Sequence, residues 1–173
     1  MYPKEYIQFL THFHGDRDYF ECHEVLEEYW KKTDSRNKDS IWVGLILLAV
    51  SSYHHRRSNF IGAKKTLEKS LKIFETQVDE LTILGLDKIL LSESLKKRLS
   101  FIETEVVYES FDLPICDTVL LELCKKSCIS EGLTWGQKSD ITNNNLVHRH
   151  KFRDRTDVIQ ERYQSLMMRK GSE

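Results

Sequence analysis

Proline and glycine are scarce in this chain, with 2 and 7 in 173 residues. That scarcity argues against a turn-rich β fold and favours long uninterrupted helices. Net charge is nearly absent as well: 26 basic against 27 acidic residues leave −1, so the chain as a whole is not a polyanion binder. No apolar run reaches the roughly 20 residues of a membrane-spanning helix, and the most apolar stretch, 41–50, is about half that. Pro3, Lys4 and Glu5 precede only a short amphipathic run, unlike a secretory signal. The four cysteines, Cys22, Cys116, Cys124 and Cys128, show no Cys-x-x-Cys spacing and are expected to be reduced. Glycine-rich phosphate loops, serine nucleophile elbows and Cys–His nucleophile patterns are missing too. The expectation is a soluble cytoplasmic protein of one domain, or one domain with an appendage.

What is present is helical periodicity. Tyr6, Leu10 and Phe13 place a first helix over residues 3–14. Gly15 and Asp16 break it, and Asp16 or Asp18 can cap a second helix running to about Lys32. Ser40 is a candidate cap for a third helix, from Ile41 to about Arg57, which is apolar on nearly all sides until Ser51 and so belongs at the centre of the bundle. Gly44 and Ser51 lie close together on its wheel, where small side chains permit close helix approach. After Asn59 a fourth helix carries Ala63, Leu67, Leu71, Phe74, Val78 and Leu81 in one continuous stripe. Asp87 caps a fifth helix to about Glu103, with Ile89, Leu90, Leu95, Leu99 and Ile102 expected inside. Val106 to Tyr108 reads as extended, and Pro114 breaks helix before it. Asp117 caps a sixth helix ending near Gly132. A last helix, from about Asp154 to Met168, lacks a strong apolar stripe and reads as an arm that docks weakly or docks on a second copy. The fold class is all-α: a bundle core over 1–104 and a C-terminal helical extension over 105–173.

Two groups of residues carry a family resemblance. The first is Phe13, Gly15, Asp16, Tyr19, Phe20, Glu21, His23, Glu24, Leu26, Glu27 and Trp30. The second is Gly44, Leu45, Ile46, Leu48, Ala49 and His54, followed by Asn59, Phe60, Gly62 and Ala63. Together, over roughly residues 10–82, they resemble the Domain of Unknown Function 309 family. The resemblance implies a three-helix, spectrin-repeat-like core, matching helices two to four, and implies no particular reaction. The segment with Trp135, Gly136, Gln137 and the His148–Lys151 run is similar to a longer, Bacillus-type branch of that family.

The densest chemistry lies in 18–30, where aromatic, imidazole and carboxylate side chains interleave at helical spacing. On the wheel, Phe20, His23, Glu24 and Glu27 share a face, and His23 and Glu27 are one turn apart. A His and a carboxylate so placed can hold a divalent metal, given further ligands from a facing helix. His54 and His55 are the natural donors. The wheel puts His55 on the small, polar side with Gly44, Leu48 and Ser51, whereas the resemblance points to His54, and the choice stays open. Whichever turns inward is expected to meet a carboxylate. In this scheme His23, Glu27, His54 and His55 are the metal ligands and Glu24 is the general base. The pattern departs from the zinc-protease motif His-Glu-x-x-His, because Glu27 stands where the second His belongs. The plainer reading is a buried polar network in which His23 hydrogen-bonds Glu27.

Three functions follow. The first, favoured by an arm-like last helix and the lack of a complete catalytic set, is an interaction or scaffold protein, with a homo-oligomer or protein partner. The second is a metal-dependent, hydrolase-like enzyme. The third is nucleic-acid binding through the basic excess of 147–170, the weakest because a solvated helix explains it equally. Cys124 and Cys128, one turn apart, and His148 with His150 are lesser metal candidates. Buried thiols are the default for the former.

Overall fold

The computed structural model describes residues 1–149 and 156–170. Nine helices lie within them: α1 (Lys4–His14), α2 (Tyr19–Thr33), α3 (Ile41–Arg56), α4 (Phe60–Thr76), α5 (Val78–Ile83), α6 (Lys88–Glu103), α7 (Thr118–Ser130), α8 (Asn144–Val147) and α9 (Thr156–Lys170). The described residues contain no strand, so the protein is an all-α bundle. Most starts are set by side-chain caps. Asp18 accepts from Glu21 N, Ser40 from Trp42 N, Asn59 from Gly62 N, and Asp87 and Asp117 each from two amides of the following turn. Each such cap satisfies amides that the helix itself leaves without partners, worth about 1 kcal/mol.

The centre of the bundle is α3, which packs on both α2 and α4. It buries residues all round its circumference, from Ile41 and Leu45 to Ser52 and His55, as its lack of a polar face requires. Its approach to α4 is close. A Cβ on Gly44 would lie 2.7 Å from a ring carbon of Phe74, Ser70 Oγ donates to Gly44 O at 2.8 Å, and Ser51 Oγ donates to Ala63 O at 2.8 Å. α1 lays Tyr6, Phe9, Leu10 and Phe13 against α2 and α7, while α6 closes the other side against α4.

The segment 105–117 is not helical. It returns across the end of the bundle, tied by Asp87 N to Pro114 O at 2.8 Å and by a single antiparallel bridge, Leu86–Ile115. It delivers Tyr108 and Leu113 to the same core cluster as α1 and α3. Val106 and Val107, expected extended, lie in this irregular run and form no strand.

Two other expectations are corrected. The stripe from Ala63 to Leu81 is not one helix. Gln77 leaves helical geometry (φ −113, ψ 36), and its side-chain amide donates to Asp39 O at 3.1 Å, so α4 ends at Thr76 and a separate α5 starts at Val78. Ile89 and Leu90 are not inside α6 either: they are 64% and 53% exposed, and Leu91 takes the buried position. Together these departures open a groove between α4, α5 and α6. Leu71, Phe74, Val78, Leu81, Leu91 and Leu95 line it, with Ile89 at its edge, and its volume is about 440 Å³.

No helix among the described residues is long and apolar enough to cross a membrane.

Candidate functional site

The sharpest cluster of ionisable groups sits where the sequence places it, on the outward face of α2. That helix buries only Tyr19, Cys22 and Leu26, which turns the intervening positions towards solvent. His23 Nε2 lies 2.8 Å from Glu27 Oε2, and its Nδ1 lies 3.3 Å from Glu24 Oε1. Lys31 Nζ reaches Glu27 Oε1 at 2.8 Å, a further turn along. His23, Glu24 and Glu27 are all partly buried, with side chains 25%, 31% and 32% exposed.

Electrostatics fix the protonation state. Burial disfavours charge on His23, but hydrogen bonds to Glu24 and Glu27 and their negative charges outweigh it, and its pKa is pushed up to about 9. Glu27 is pulled down to about 2, first by its hydrogen bond to His23 and, against some desolvation, by Lys31. At neutral pH the imidazole is therefore a cation donating from both nitrogens, and Glu27 is an ionised acceptor. A proton acceptor with a pKa near 2 is a poor general base at neutral pH.

The same three side chains each offer a ligand atom, all within 4.8 Å of one another. An ion there would have to displace the proton from His23. With a pKa of about 9, that competition costs about 100-fold in apparent affinity at pH 7.

Among the described residues, neither His54 nor His55 joins this cluster. His55 is buried, but it meets a backbone carbonyl rather than the expected carboxylate: its Nε2–H points at Val106 O at 2.8 Å, with its ring edge-on to Tyr108. Its Nδ1 is buried without a hydrogen-bond partner, and burial lowers its pKa. His54 is half-buried, with Nδ1 3.1 Å from the Asn59 side-chain amide. Burial and the charge of Arg57 depress its pKa. The ring that α3 sets towards the cluster is Tyr53, which packs on Phe20, and Phe20 packs in turn on His23.

Beside the cluster lies an open acidic depression of about 920 Å³. Asp16, Asp18, Glu21, Glu24 and Asp140 face Lys138 and Arg149 across it. Arg149 pairs with Asp18 and approaches Glu21 at 3.9 Å. The sequence marks 14–18 only as a break and a cap, yet these residues hold the 105–149 segment. Arg17, at φ 57, is 2% exposed, and its guanidinium donates to Gln137 O, Phe111 O and Asp112 Oδ1 at 2.6–2.7 Å. Arg56 Nη1 donates to Arg17 O at 2.6 Å and to Ser139 Oγ at 3.0 Å. His14 is held as a neutral tautomer: Nδ1–H donates to Leu10 O, Nε2 accepts from Leu113 N, and the ring stacks on Trp135. The only sequence signal for this network was the density of polar side chains around an otherwise ordinary turn.

The lesser candidates resolve simply. Cys124 and Cys128 are buried thiols; burial first, then the neighbouring thiol, pushes Cys124 up to about 12. His148 accepts from Arg57 Nε at 3.0 Å, whereas His150, Lys151, Arg153 and Arg155 lie outside the described residues. Of the basic run, Arg149 is spent on Asp18.

Fold and site define a class: an all-α bundle around a buried central helix, with an ion-paired His–Glu face on the helix before it. A family model, "Domain of unknown function (DUF309)", matches residues 6–66. "Uncharacterized protein YpuF" of Bacillus subtilis (strain 168) is 46% identical over 172 residues, covering 99% of this chain and 99% of that one. The chain belongs to this family of unknown function. No solved structure matches it.

Proposed function

We propose that this is a cytoplasmic interaction protein that engages a protein partner through the groove between α4, α5 and α6. The observation that carries the reading is the groove itself. Seven apolar side chains line an open slot of about 440 Å³, and one of them, Ile89, is 64% exposed. An open slot with an apolar lining is the kind of concavity that takes up an apolar group of a partner. The ionised His23–Glu27 pair supports the same reading from the other side: it is a stable ion pair rather than an acid–base couple poised near neutrality.

The test is recovery of the tagged full chain from its native cells, alongside Ile89→Asp. The reading expects a stoichiometric complex that the substitution removes while the helical circular dichroism is unchanged. Identical recoveries from both forms would reject it.

A second reading is favoured by one specific observation, the convergence of His23, Glu24 and Glu27 within 4.8 Å beside an open depression. In it these residues hold a divalent ion, and Glu24, which also lines the depression, activates water for hydrolysis. Elemental analysis after reconstitution with zinc or manganese decides. About one ion per chain, lost in Glu27→Gln, supports it; no ion excludes it.

A further inference from the structure

We propose that the pocket between the second half of α6 and the segment 105–117 binds a small organic anion, whose carboxylate or phosphate pairs with Arg98 and whose apolar body lies against Phe101, Val106 and Val107. This site is separate from the groove and does not depend on the reading given to it.

Arg98 is only 9% exposed, and a buried cation is costly unless it is paired. Two other buried arginines follow that rule. Arg17 donates to two carbonyls and to Asp112, and Arg56 donates to Arg17 O and Ser139 Oγ. The Arg98 guanidinium, among the described residues, makes neither a hydrogen bond nor an ion pair. It lies over the ring of Phe111, 4.1 Å from the centroid, and 5.8 Å from that of Tyr108. Stacking occupies the face of a guanidinium and leaves the planar fork of N–H donors at its edge free. Those donors are not sealed in the core: among the described residues, the sealed side-chain nitrogens without a partner are His55 Nδ1 and Arg56 Nε. Arg98 lines a pocket of about 440 Å³ instead, a size that suits a small molecule.

Both walls of the pocket are built. Ser94, Lys97, Arg98 and Phe101 fall at i, i+3, i+4 and i+7 of α6 and form one of them. The other is the stretch 106–111, which the bundle holds in place. His55 Nε2–H donates to Val106 O at 2.8 Å, Ser139 N donates to Ser110 Oγ at 2.8 Å, and Arg17 Nη1 donates to Phe111 O at 2.6 Å. A wall fixed in this way needs little ordering when a ligand enters. Charge selects an anion. The lining carries Lys97 and Arg98 against one carboxylate, Glu109, whose charge acts on Arg98 without pairing with it. The free fork suits a carboxylate or phosphate, which it can hold through two parallel bonds. The rest of the space calls for an apolar body: Val106 and Val107 are 43% and 71% exposed, and a bare oxyanion would leave them and most of the volume unused.

Titration of the full chain with phenyl phosphate and with phenylacetate, followed by amide NMR and calorimetry, tests the proposal. Inorganic phosphate and phenol serve as the two halves of the ligand. Saturable binding of at least one organic anion is expected, with shifts centred on 94–111 and an affinity about tenfold or more above that of either half. The tighter of the two anions identifies the headgroup. Arg98→Met keeps an apolar stem over Phe111, removes the fork and should weaken binding about tenfold or more. Because Arg98 is buried, a second variant accompanies it. Val107→Asp, at an exposed position, sets a carboxylate beside the pocket and should weaken binding several-fold with the thermal midpoint unchanged. Glu109→Gln should tighten it. The absence of saturable binding by either organic anion overturns the proposal, as does binding that Val107→Asp leaves unchanged, or inorganic phosphate held as tightly as phenyl phosphate.

Discussion

Replacing Glu27 with Gln probes the α2 face directly. The change keeps the shape of the side chain and removes its charge. Two carboxylates lift His23 from its ordinary 6.5 to about 9 against the opposing effect of burial. Both contribute a hydrogen bond and a charge, at 2.8 Å from Glu27 and 3.3 Å from Glu24. The variant removes one of the two charges that raise His23, so its pKa should fall from about 9. The sign for stability follows. A raised histidine pKa stabilises the fold fully below 6.5, and the contribution fades as pH climbs through about 9. The depressed Glu27 contributes above its ordinary 4.5, and that contribution is lost as pH falls towards about 2. Because both partners are partly solvated, the pair is worth about 1 kcal/mol rather than its full Coulombic value. Histidine side-chain NMR between pH 5 and 10, with the His23 resonance assigned by its loss in His23→Gln, reads the pKa. Titration of His23 near 6.5 in the unaltered protein would refute the ion-pair assignment, and so would a value near 9 that survives Glu27→Gln.

Three further outcomes are expected. Burial pulls His14 down to about 4 from an ordinary 6.5, despite its bonds to Leu10 and Leu113. The unfolded chain then takes up the proton first, and stability falls by about 3 kcal/mol as pH drops from 6.5 to 4, readable by urea denaturation across that range; a flat profile refutes it. Arg17→Ala leaves the carbonyls of Phe111 and Gln137 and the Asp112 carboxylate without their donor, and should cost about 3 kcal/mol and raise amide exchange in 105–140 ahead of the rest of the chain. Gly44→Leu drives a side chain into Phe74 and should lower the thermal midpoint by several degrees at least, because overpacking at a helix–helix contact costs about 1–3 kcal/mol.

The sequence made the local features readable. Ser40, Asp87 and Asp117 were each recognisable as caps, and Asp18 as one of two candidates, since a cap depends on a few adjacent residues. The central position of α3 followed from its uniform apolarity, and the His23–Glu27 contact from one turn of spacing. What stayed hidden depends on distant partners. The break at Gln77 is stabilised by Asp39 O, 38 residues away, and the stripe that crosses it reads as continuous helix. Ile89 and Leu90 were expected inside because apolar residues at a helix start look like core, whereas Leu91 takes the buried position and leaves them facing solvent. His55 lost its expected carboxylate to the carbonyl of Val106, in a segment whose path has no local signature. The groove lies where the break at Gln77 meets the start of α6.

The most direct measurement of that groove is photo-crosslinking of the full chain with benzoylphenylalanine at position 89, and at position 129 as a control. Ile129 is an equally apolar, exposed position on α7. The account predicts a defined adduct of position 89 with one protein partner and no comparable adduct from position 129. No adduct at 89, or equal and heterogeneous adducts from both positions, would contradict it.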